Sequence, residues 1–310
     1  MPEISVVIPM YNCEKYIIDC LSSLAAQSFK DFEVIVVNNC STDASAALTE
    51  DFCKKDERFR LLYCAVGKTG SARNLGLDNA RGRYVVFVDA DDSVKEKYLE
   101  KMYDAIVKND ADIAVCGFLF HFLNTGKTTK GDCPADGICY DRDTALRELL
   151  RDKGFRFYMW NKMWKRSLFT DNSIRVSDMY YEDAVACPQL FCKARRVVTV
   201  GYRGYVYMRA FSKYKEIRMS RQRINDYINS IALMRLCMKK EHIRKSVSSM
   251  IGVHIFHVFF SLPMLINQAK GELKRGWFRN LISSWGRVIS YSRGSEAELE
   301  SYAEKEDAVF

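Results

Sequence analysis

The first half of the chain alternates short apolar runs with segments in which apolar residues recur at helical spacing. Short apolar runs bounded by turn residues are typical of buried strands, whereas apolar residues three or four positions apart predict amphipathic helices. The strands predicted in this way are 4–9, 32–38, 59–64, 84–89 and 111–118. The helices predicted between them are 14–27, 41–55, 70–80 and 95–108. This alternation predicts an α/β fold with a mostly parallel, doubly wound central sheet and flanking helices.

The second half of the chain follows a different pattern. Residues 119–142 are polar and irregular, and TVGYRGYVYM at 199–208 predicts one further strand. Beyond that strand, the spacing of apolar residues is helical to the end of the chain. We therefore expect an α/β domain over residues 1–215 and a helical C-terminal region over residues 216–310.

Clusters of polar residues follow the first four predicted strands. They lie at 9–12, 38–41, 70–74 and 89–92. The carboxyl ends of parallel strands meet at one edge of a doubly wound sheet, and such sheets bind ligands in the crevice beyond that edge. The sequence therefore predicts one ligand site to which four separate loops contribute.

The most unusual of these clusters is acidic. Asp89, Asp91 and Asp92 end an apolar strand, and close carboxylates disfavour one another's ionisation unless a cation or hydrogen bonds compensate. Asp89 and Asp91 could both reach Mg²⁺ or Mn²⁺, hard cations that take one or two carboxylates and leave room for substrate phosphates. The alternative is an acidic loop that caps the following helix, a role open to Asp92.

Composition places the chain among ordinary globular proteins, because 48% of its 310 residues are hydrophobic and 28% are charged. Its 11 cysteines form no CxxC pair and no cysteine–histidine spacing typical of a zinc site. The N-terminal apolar run is short, and no basic segment precedes it, so no secretory signal is predicted. We expect reduced thiols in the core of a cytoplasmic protein.

The net charge of +8 is concentrated in one region. Residues 193–275 contain 18 Lys and Arg against 4 Asp and Glu. Such a region could attract phosphates, nucleic acid or an anionic membrane surface, or it could be the solvated face of helices.

Within this basic region lies a long apolar stretch. Residues 246–268 contain no Lys, Arg, Asp or Glu, and basic residues flank them on both sides. The stretch could be buried against the α/β domain, lie at the interface of an anionic membrane, or span the bilayer. A span needs ~20 predominantly apolar residues, whereas Pro263 and several serines interrupt this one. The basic flanks favour peripheral binding at the inner face of the cell membrane over a span.

Seven segments, in order and with similar spacing, resemble family 2 glycosyltransferases, which have the GT-A nucleotide-sugar fold. They are ISVVIPMYNCEKYI (4–17), VNNCSTD (37–43), GSARNLGLDNARGRY (70–84), VFVDADD (86–92), WNKMWKRSLF (160–169), YYEDAVACPQLF (180–191) and YVYMRAFS (205–212). The resemblance covers about residues 3–215. It implies an inverting, metal-dependent transfer from a nucleotide-diphosphate sugar, with UDP-sugar expected, to a hydroxyl of a glycan or lipid-linked acceptor in bacterial-type polysaccharide synthesis.

The resemblance also implies which side chains bind the donor. The loops after the first two strands would hold the nucleobase, usually uracil, and the ribose. The matched donor-binding positions are Pro9, Tyr11, Asn12, Glu14, Asn39, Arg73, Asp89, Arg209 and Ser212. Among them, Tyr11 could stack on a pyrimidine, and Arg209 could stabilise charge that develops on the leaving diphosphate.

Metal binding and catalysis are implied at two further motifs. Asp91, together with Asp89, would hold Mn²⁺ or Mg²⁺ between the donor phosphates. Asp183 would be the base that removes the acceptor's hydroxyl proton, and Glu182 would be its structural or acceptor-binding neighbour. One carboxylate is enough for this transfer, because the metal rather than a general acid stabilises the leaving group.

Two residues are matched to the acceptor side, Trp160 and Lys162. An indole offers a flat apolar face to a sugar ring, but a tryptophan is at least as often part of the core. Both interpretations of Trp160 remain open at the level of sequence.

The chain departs from the family pattern at Asn38 and Asn39, where family members commonly have two aspartates. The second aspartate accepts a hydrogen bond from uracil N3–H. An asparagine carbonyl can also accept, but without charge assistance, and its amide adds a donor. Pyrimidine binding therefore stays possible, while the identity of the nucleotide is in doubt.

Two other functions are compatible with a doubly wound sheet. A nucleotidyltransferase would also use acidic metal ligands, but it normally has a glycine-rich phosphate loop after the first strand, and MYNCEKY contains no glycine. A non-catalytic sugar-nucleotide-binding or assembly protein would explain Asn38 and Asn39. The presence of Asp91, Asp183 and Arg209 argues against it. Nucleic acid is not an expected partner.

Overall fold

The computed structural model describes residues 1–152, 154–209 and 221–248. Its strands are β1 (Ile4–Met10), β2 (Phe32–Asn38), β3 (Phe59–Tyr63), β4 (Tyr84–Phe87), β5 (Ser93–Val94), β6 (Ile113–Phe122), β7 (Lys127–Lys130), β8 (Cys139–Asp141), β9 (Lys162–Lys165) and β10 (Arg196–Arg209). Its helices are α1 (Ile17–Ala25), α2 (Ser45–Cys53), α3 (Thr69–Asp78), α4 (Tyr98–Lys108), α5 (Arg142–Leu150), α6 (Ser167–Thr170), α7 (Glu182–Lys193), α8 (Arg221–Lys240) and α9 (Lys245–Ser248).

These strands form one sheet in the order β3-β2-β1-β4-β9-β6-β10-β5, with β7 beside β6 and β8 beside β10. Strands β1 to β4 are parallel to one another, and β6 is parallel to β10. Strand β9 lies antiparallel between β4 and β6. The prediction of a mostly parallel α/β sheet is confirmed, with β9 as an unpredicted antiparallel strand near its centre.

The inner strands β1, β2 and β4 are mostly apolar because helices cover both faces of the sheet. Neighbouring residues of β1 illustrate this, since Val7 enters one apolar core and Val6 the other. Helices α3, α5, α7 and α8 contribute to the first core. Helices α1 and α4 contribute to the second. The sheet therefore separates two cores and presents its carboxyl edge between the two helical layers.

Residues 119–142 are only partly irregular, because they include the end of one strand and two further short strands. Strand β6 continues to Phe122 and pairs with β7. Strand β8 follows, and Asp141 at its end accepts a hydrogen bond from the Thr144 amide (2.7 Å), which caps α5. Strands β7 and β8 are short and mostly exposed, so they lack the apolar pattern from which a strand can be predicted.

The first helix of the predicted C-terminal region packs against the α/β domain. Helix α8 buries Ile228, Ile231 and Met238 in the same core as α7. Within the described ranges, no helix is both long enough and apolar enough to cross a membrane. The predicted boundary at residues 215 and 216 lies outside the described residues, as does most of the apolar stretch 246–268.

Candidate active site

The loops after β1 and β2 are joined by their own polar side chains. Asn12 Oδ1 accepts a hydrogen bond from the Thr42 amide (2.8 Å), and the Asn12 amide donates to Ser41 Oγ (3.1 Å). Glu14 Oε2 accepts from the Ala44 amide (3.1 Å). Asn12 and Glu14, two of the residues predicted to bind the donor, therefore brace the loops after β1 and β2 against each other.

Tyr11 and Asn39 differ sharply in exposure within these loops. The Tyr11 side chain is 58% exposed at the end of β1, whereas Pro9 is partly buried within the strand and Asn39 is buried. Asn38 Oδ1 accepts from the Ser41 amide (3.1 Å), but Asn39 Oδ1 has no hydrogen-bond partner among the described residues. Of the two asparagines, Asn39 is the one with an unused acceptor.

The three acids that follow β4 have different surroundings. Asp92 is 2% exposed and accepts hydrogen bonds from the Tyr205 hydroxyl (2.7 Å) and the Met208 amide (2.8 Å). The Tyr205 hydroxyl in turn accepts from the Asp89 amide (3.1 Å). Burial, and then the charges of Asp89 and Asp91, raise the pKa of Asp92 well above its usual value. Asp92 therefore anchors the loop to β10 and does not cap the next helix.

Arg73 lies at the centre of an ionic cluster and is itself buried. Its Nη2 is 3.1 Å from Asp89 Oδ1, and its Nη1 donates to Glu182 Oε1 and lies 3.8 Å from Asp183 Oδ1. Burial alone would lower the pKa of Arg73, but the carboxylates of Glu182, Asp89 and Asp183 raise it well above its usual value. The charged guanidinium therefore joins the acids after β4 to those that start α7, and its contact with the donor stays a prediction.

Helix α3, which carries Arg73, touches the segment before α7 directly. A Cβ atom on Gly70 would lie 2.1 Å from the Ser177 carbonyl oxygen, so a larger residue would force the two segments apart. The Ser71 amide and hydroxyl both donate to the Asp178 carboxylate (2.7 and 2.6 Å). These contacts fix Arg73 relative to α7.

The two acids that start α7 follow a left-handed residue. Tyr181, the N-cap of α7, has φ 65°, a conformation that is uncommon for a bulky side chain and that often marks a functional site. Helix α8 holds this turn, because Asp226 Oδ2 accepts from the Tyr180 amide (3.0 Å) and the Tyr227 ring lies 5.0 Å from that of Tyr181. The direction in which Glu182 and Asp183 point thus depends on α8.

Asp183 has the properties of a proton acceptor. Its carboxylate is 22% exposed and accepts one long hydrogen bond, at 3.4 Å, from the Met159 amide. Burial and the neighbouring charge of Glu182 raise the pKa of Asp183 to about 7, against the opposing effect of Arg73. A carboxyl group with a pKa near the working pH is well suited to general-base catalysis.

A cavity of about 400 Å³ opens beside Asp183. The loop before β9, the start of α7 and one face of α8 form its walls, and its aromatic lining consists of Phe157, Tyr158, Tyr181 and Tyr227. Because Arg73 contacts both Asp183 and Asp89, the cavity and the acids after β4 meet at one ionic cluster.

Arg209 lies at the end of β10, the strand that anchors the acidic loop. Its guanidinium carbon is 4.0 Å from the centre of the Phe120 ring and 5.6 Å from that of Tyr207. Such cation–π contacts orient the guanidinium. Its predicted companion, Ser212, lies outside the described residues.

Residues 5–179, more than half of the chain, match the family model described as Glycosyl transferase family 2. This protein belongs to that family. Two similar proteins of Bacillus subtilis (strain 168), both named as glycosyltransferases, are EpsH, 33% identical, and EpsJ, 30% identical. The matched regions cover 54% of this chain and 48% of EpsH, and 67% of this chain and 61% of EpsJ. The chain thus spans less than two thirds of either relative.

Solved structures share the fold of this family 2 glycosyltransferase. S. aureus TarS, crystallised with UDP, has a TM-score of 0.68 at 20% identity and matches over 95% of this chain and 92% of its own. The mannosyltransferase PcManGT from Pyrobaculum calidifontis, in complex with GDP-Man and Mn²⁺, has a TM-score of 0.56 at 16% identity. The match covers 98% of this chain and 80% of PcManGT. The predicted GT-A fold is confirmed.

The acids of this family 2 glycosyltransferase fit a cation that also binds substrate phosphates. Across the described ranges, no three His, Cys, Asp or Glu side chains converge as a complete metal shell. Asp89 and Asp91 are partly exposed at the sheet edge, and Mg²⁺ or Mn²⁺ typically takes one or two carboxylates and completes its shell with phosphates and water. Burial and the charge of Asp91 raise the pKa of Asp89, an effect that Arg73 opposes, so a cation there would relieve repulsion.

The two predicted acceptor residues do not reach the cavity in this glycosyltransferase. Trp160 is 4% exposed and stacks between neighbouring rings, with centroid distances of 4.6 Å to Tyr158 and 4.3 Å to Tyr205. Its faces are occupied by protein, which favours the core interpretation. It is Tyr158, stacked on Trp160, that lines the cavity.

Lys162 is also a supporting residue. It is fully buried, and its ammonium group donates to the carbonyl oxygens of Phe155 (2.8 Å), Arg156 (2.8 Å) and Tyr158. Burial lowers the pKa of Lys162 to about 8. The lysine therefore shapes the loop that presents Tyr158 and makes no contact available to an acceptor.

The four aromatic residues of the cavity were not predicted as site residues from the sequence; they are Phe157, Tyr158, Tyr181 and Tyr227. Tyr158 lies two positions before Trp160, and Tyr181 lies directly before Glu182, within the matched segment 180–191. That adjacency was the available signal. Tyr227 lies outside the residues that match the family model, and no local pattern marks it.

We predict that Tyr205→Phe lowers the free energy of unfolding by about 1–3 kcal/mol, because it removes the hydroxyl that donates to buried Asp92. Urea denaturation measures this loss. The matched control is Tyr84→Phe, which removes the hydroxyl of another tyrosine in the same apolar core, 2% exposed against 0% for Tyr205. Equal stability of the two variants would show that the anchor contributes nothing.

Proposed function

We propose that this protein is an inverting, metal-dependent glycosyltransferase that moves a sugar from a UDP-sugar to a hydroxyl of a glycan or lipid-linked acceptor in polysaccharide biosynthesis. The observation that carries this proposal is the bridge formed by Arg73. It connects Asp89, on the donor side, with Asp183, whose pKa of about 7 suits a base. In an inverting displacement, the base with its acceptor hydroxyl and the leaving diphosphate lie on opposite sides of the anomeric carbon of the donor sugar.

Each residue then has a defined task. Asp183 accepts the proton of the acceptor hydroxyl while the hydroxyl oxygen attacks the anomeric carbon of the donor. The bond from that carbon to the nucleoside diphosphate breaks on the opposite side, so the configuration of the carbon is inverted. Glu182, held by Arg73, keeps the base in place and raises its pKa. Arg209 is assigned the stabilisation of the charge that develops on the leaving diphosphate. A divalent cation held by Asp91 and Asp89 would supply further charge neutralisation at the phosphates.

Donor recognition is assigned to the loops after β1 and β2. Tyr11 is exposed and can stack on a base, while the unused Asn39 carbonyl can accept from uracil N3–H. Support for a nucleotide-sugar donor comes from TarS, crystallised with UDP or UDP-GlcNAc, and from PcManGT, in complex with GDP-Man. Uracil is favoured because its N3–H matches an acceptor.

We also propose that the reaction takes place in the cytoplasm, at the inner face of the cell membrane. The support is the sequence of residues 193–275, in which basic residues surround the apolar stretch 246–268. Electrostatic attraction to anionic lipids would bring the enzyme to a lipid-linked acceptor.

The metal assignment is tested at Asp91. We predict that Asp91→Asn weakens Mn²⁺-dependent binding of UDP by about 10-fold or more, because even an outer-shell metal partner is typically worth that much. Calorimetry with and without EDTA separates the metal-dependent part. Asp104→Asn, on the exposed face of α4, is the control for charge removal. An Asp91 variant with full metal-dependent affinity would remove this residue from the metal site.

The base assignment is tested at Asp183. We predict that Asp183→Asn lowers turnover about 10²–10⁴-fold while UDP affinity is nearly retained, because a positioned base contributes that much to the rate. For the wild type, the base is protonated below its pKa of about 7, so the rate should fall as the pH drops through 7. A pH profile that is flat between pH 5 and 8 would assign the proton to another group.

The nucleotide assignment is tested at Asn39. If Asn39 reads uracil N3–H, Asn39→Asp should keep or tighten UDP binding by up to about 1 kcal/mol, because a charged acceptor makes the stronger hydrogen bond. Asn38→Asp is the matched control, since the Asn38 carbonyl is already engaged by Ser41. The uracil assignment would be contradicted if Asn39→Asp lost UDP affinity and the wild type bound GDP more tightly than UDP.

A further inference from the structure

The cavity beside Asp183 has a composition that restricts what it can bind. Its described lining contains three carboxylates, those of Asp152, Glu182 and Asp183, and no Lys, Arg or His. The volume of about 400 Å³ falls in the ordinary range for small-ligand sites, ~300–1,000 Å³. A ligand in this cavity therefore meets acceptor oxygens and negative charge.

The neighbouring guanidiniums do not cancel this charge. Arg156 is shared between Asp132 and Asp152, with 3.3 Å between its Nη1 and Asp152 Oδ2. Arg73 is shared among the carboxylates of Asp89, Glu182 and Asp183. The buried Lys162 ammonium also interacts with Asp152 and Asp183, but it already donates to backbone carbonyl oxygens. Three cations thus serve five carboxylates, and all three are engaged. An anionic group in the cavity would meet repulsion, and the lining residues that the structure describes offer it no cation.

The remaining walls are flat and apolar. Tyr158 is held by stacking on Trp160, with an interplanar angle of 13°. Across the cavity lining, Tyr181 and Tyr227 form a second aromatic pair, tilted by 43°. Aromatic faces pack against the C–H faces of a sugar ring, while carboxylates accept hydrogen bonds from its hydroxyls.

We propose that this cavity is the acceptor subsite and that it selects an uncharged pyranose, excluding sugar rings that carry a carboxylate or phosphate. The inference rests on the proposed glycosyl transfer, because it assigns Asp183 as the base at the cavity's inner end. The α8 wall, with Tyr227 and Ser230, lies beyond residues 5–179, which match the family model. Acceptor choice is therefore set largely by a part of the chain outside that match.

The test compares neutral and anionic acceptors that differ at a single carbon. The full chain is incubated with Mn²⁺ and UDP-glucose, UDP-galactose or UDP-N-acetylglucosamine, and UDP release is followed with p-nitrophenyl glucoside, galactoside, glucuronide and galacturonide. We expect a neutral glycoside to accelerate UDP release. Its kcat/KM should exceed that of the matched uronide at least about 10-fold, because like charges placed together cost that much or more. A uronide with a kcat/KM equal to or above that of its matched neutral glycoside would overturn the proposal. The proposal would also be overturned if none of the neutral glycosides accelerated UDP release.

Variants test the two recognition elements separately. Tyr227→Ala should raise the acceptor KM about 10-fold, whereas Tyr227→Phe, which keeps the ring, should stay near the wild type, because stacking and not the hydroxyl is used. Asp152→Asn should narrow the ratio between neutral and anionic acceptors, an effect that a purely structural residue would not produce. An unchanged KM for Tyr227→Ala or an unchanged ratio for Asp152→Asn would contradict the assigned role.

Failure of this inference can be told apart from failure of the proposed function by calorimetry. Metal-dependent UDP binding together with a preference for uronides would overturn the acceptor assignment alone. Absence of UDP binding, with no release of UDP from any of the three donors, would overturn the proposed glycosyl transfer and the acceptor subsite with it.

Discussion

A single buried guanidinium, that of Arg73, fixes the geometry of the whole site. Its two terminal nitrogens contact acids from two distant elements, the loop after β4 and the first turn of α7. Removing one partner from such a buried ionic cluster typically costs 3–5 kcal/mol, because a desolvated charge is left without compensation. The loop after β4 and the first turn of α7 therefore cannot move independently while Arg73 remains in place.

The acids after β4 illustrate how neighbouring residues of one type divide their tasks. Asp92 accepts hydrogen bonds from the Tyr205 hydroxyl and the Met208 amide and so attaches the loop to β10. This leaves Asp89 and Asp91 at the sheet edge, partly exposed and mutually repelling. The same division separates Asn38, which closes a turn, from Asn39, which keeps an unused acceptor. Burial and hydrogen bonding thus set Asp92 apart from the other two acids, whereas the two asparagines are equally buried and differ only in hydrogen bonding.

Much of this arrangement could be predicted from the sequence, because it depends on local pattern. Strands β1 to β4 are mostly apolar runs, and parallel strands bring the loops that follow them to one edge. Strand β9 could not be predicted, since a lysine stands at each end of its four residues, and only its neighbours β4 and β6 make it a strand. For Trp160 and Lys162 the motif gives the residue type but not the direction of the side chain. The role of Tyr227 depends on how α8 packs, which no local signal encodes.

The anchor of Asp92 and the bridge of Arg73 also bear on the order in which the protein folds. Arg73 and Glu182 are 109 positions apart in the chain, and Asp92 and Tyr205 are 113 apart. Closing loops of this length loses chain entropy before the contacts stabilise the fold, so such contacts form late. During synthesis, strands β1 to β4 can pair before α7 and β10 have left the ribosome. Until then, the acids after β4 lack the partners that α7 and β10 provide. The site is complete only when the second half of the sheet has packed against the first.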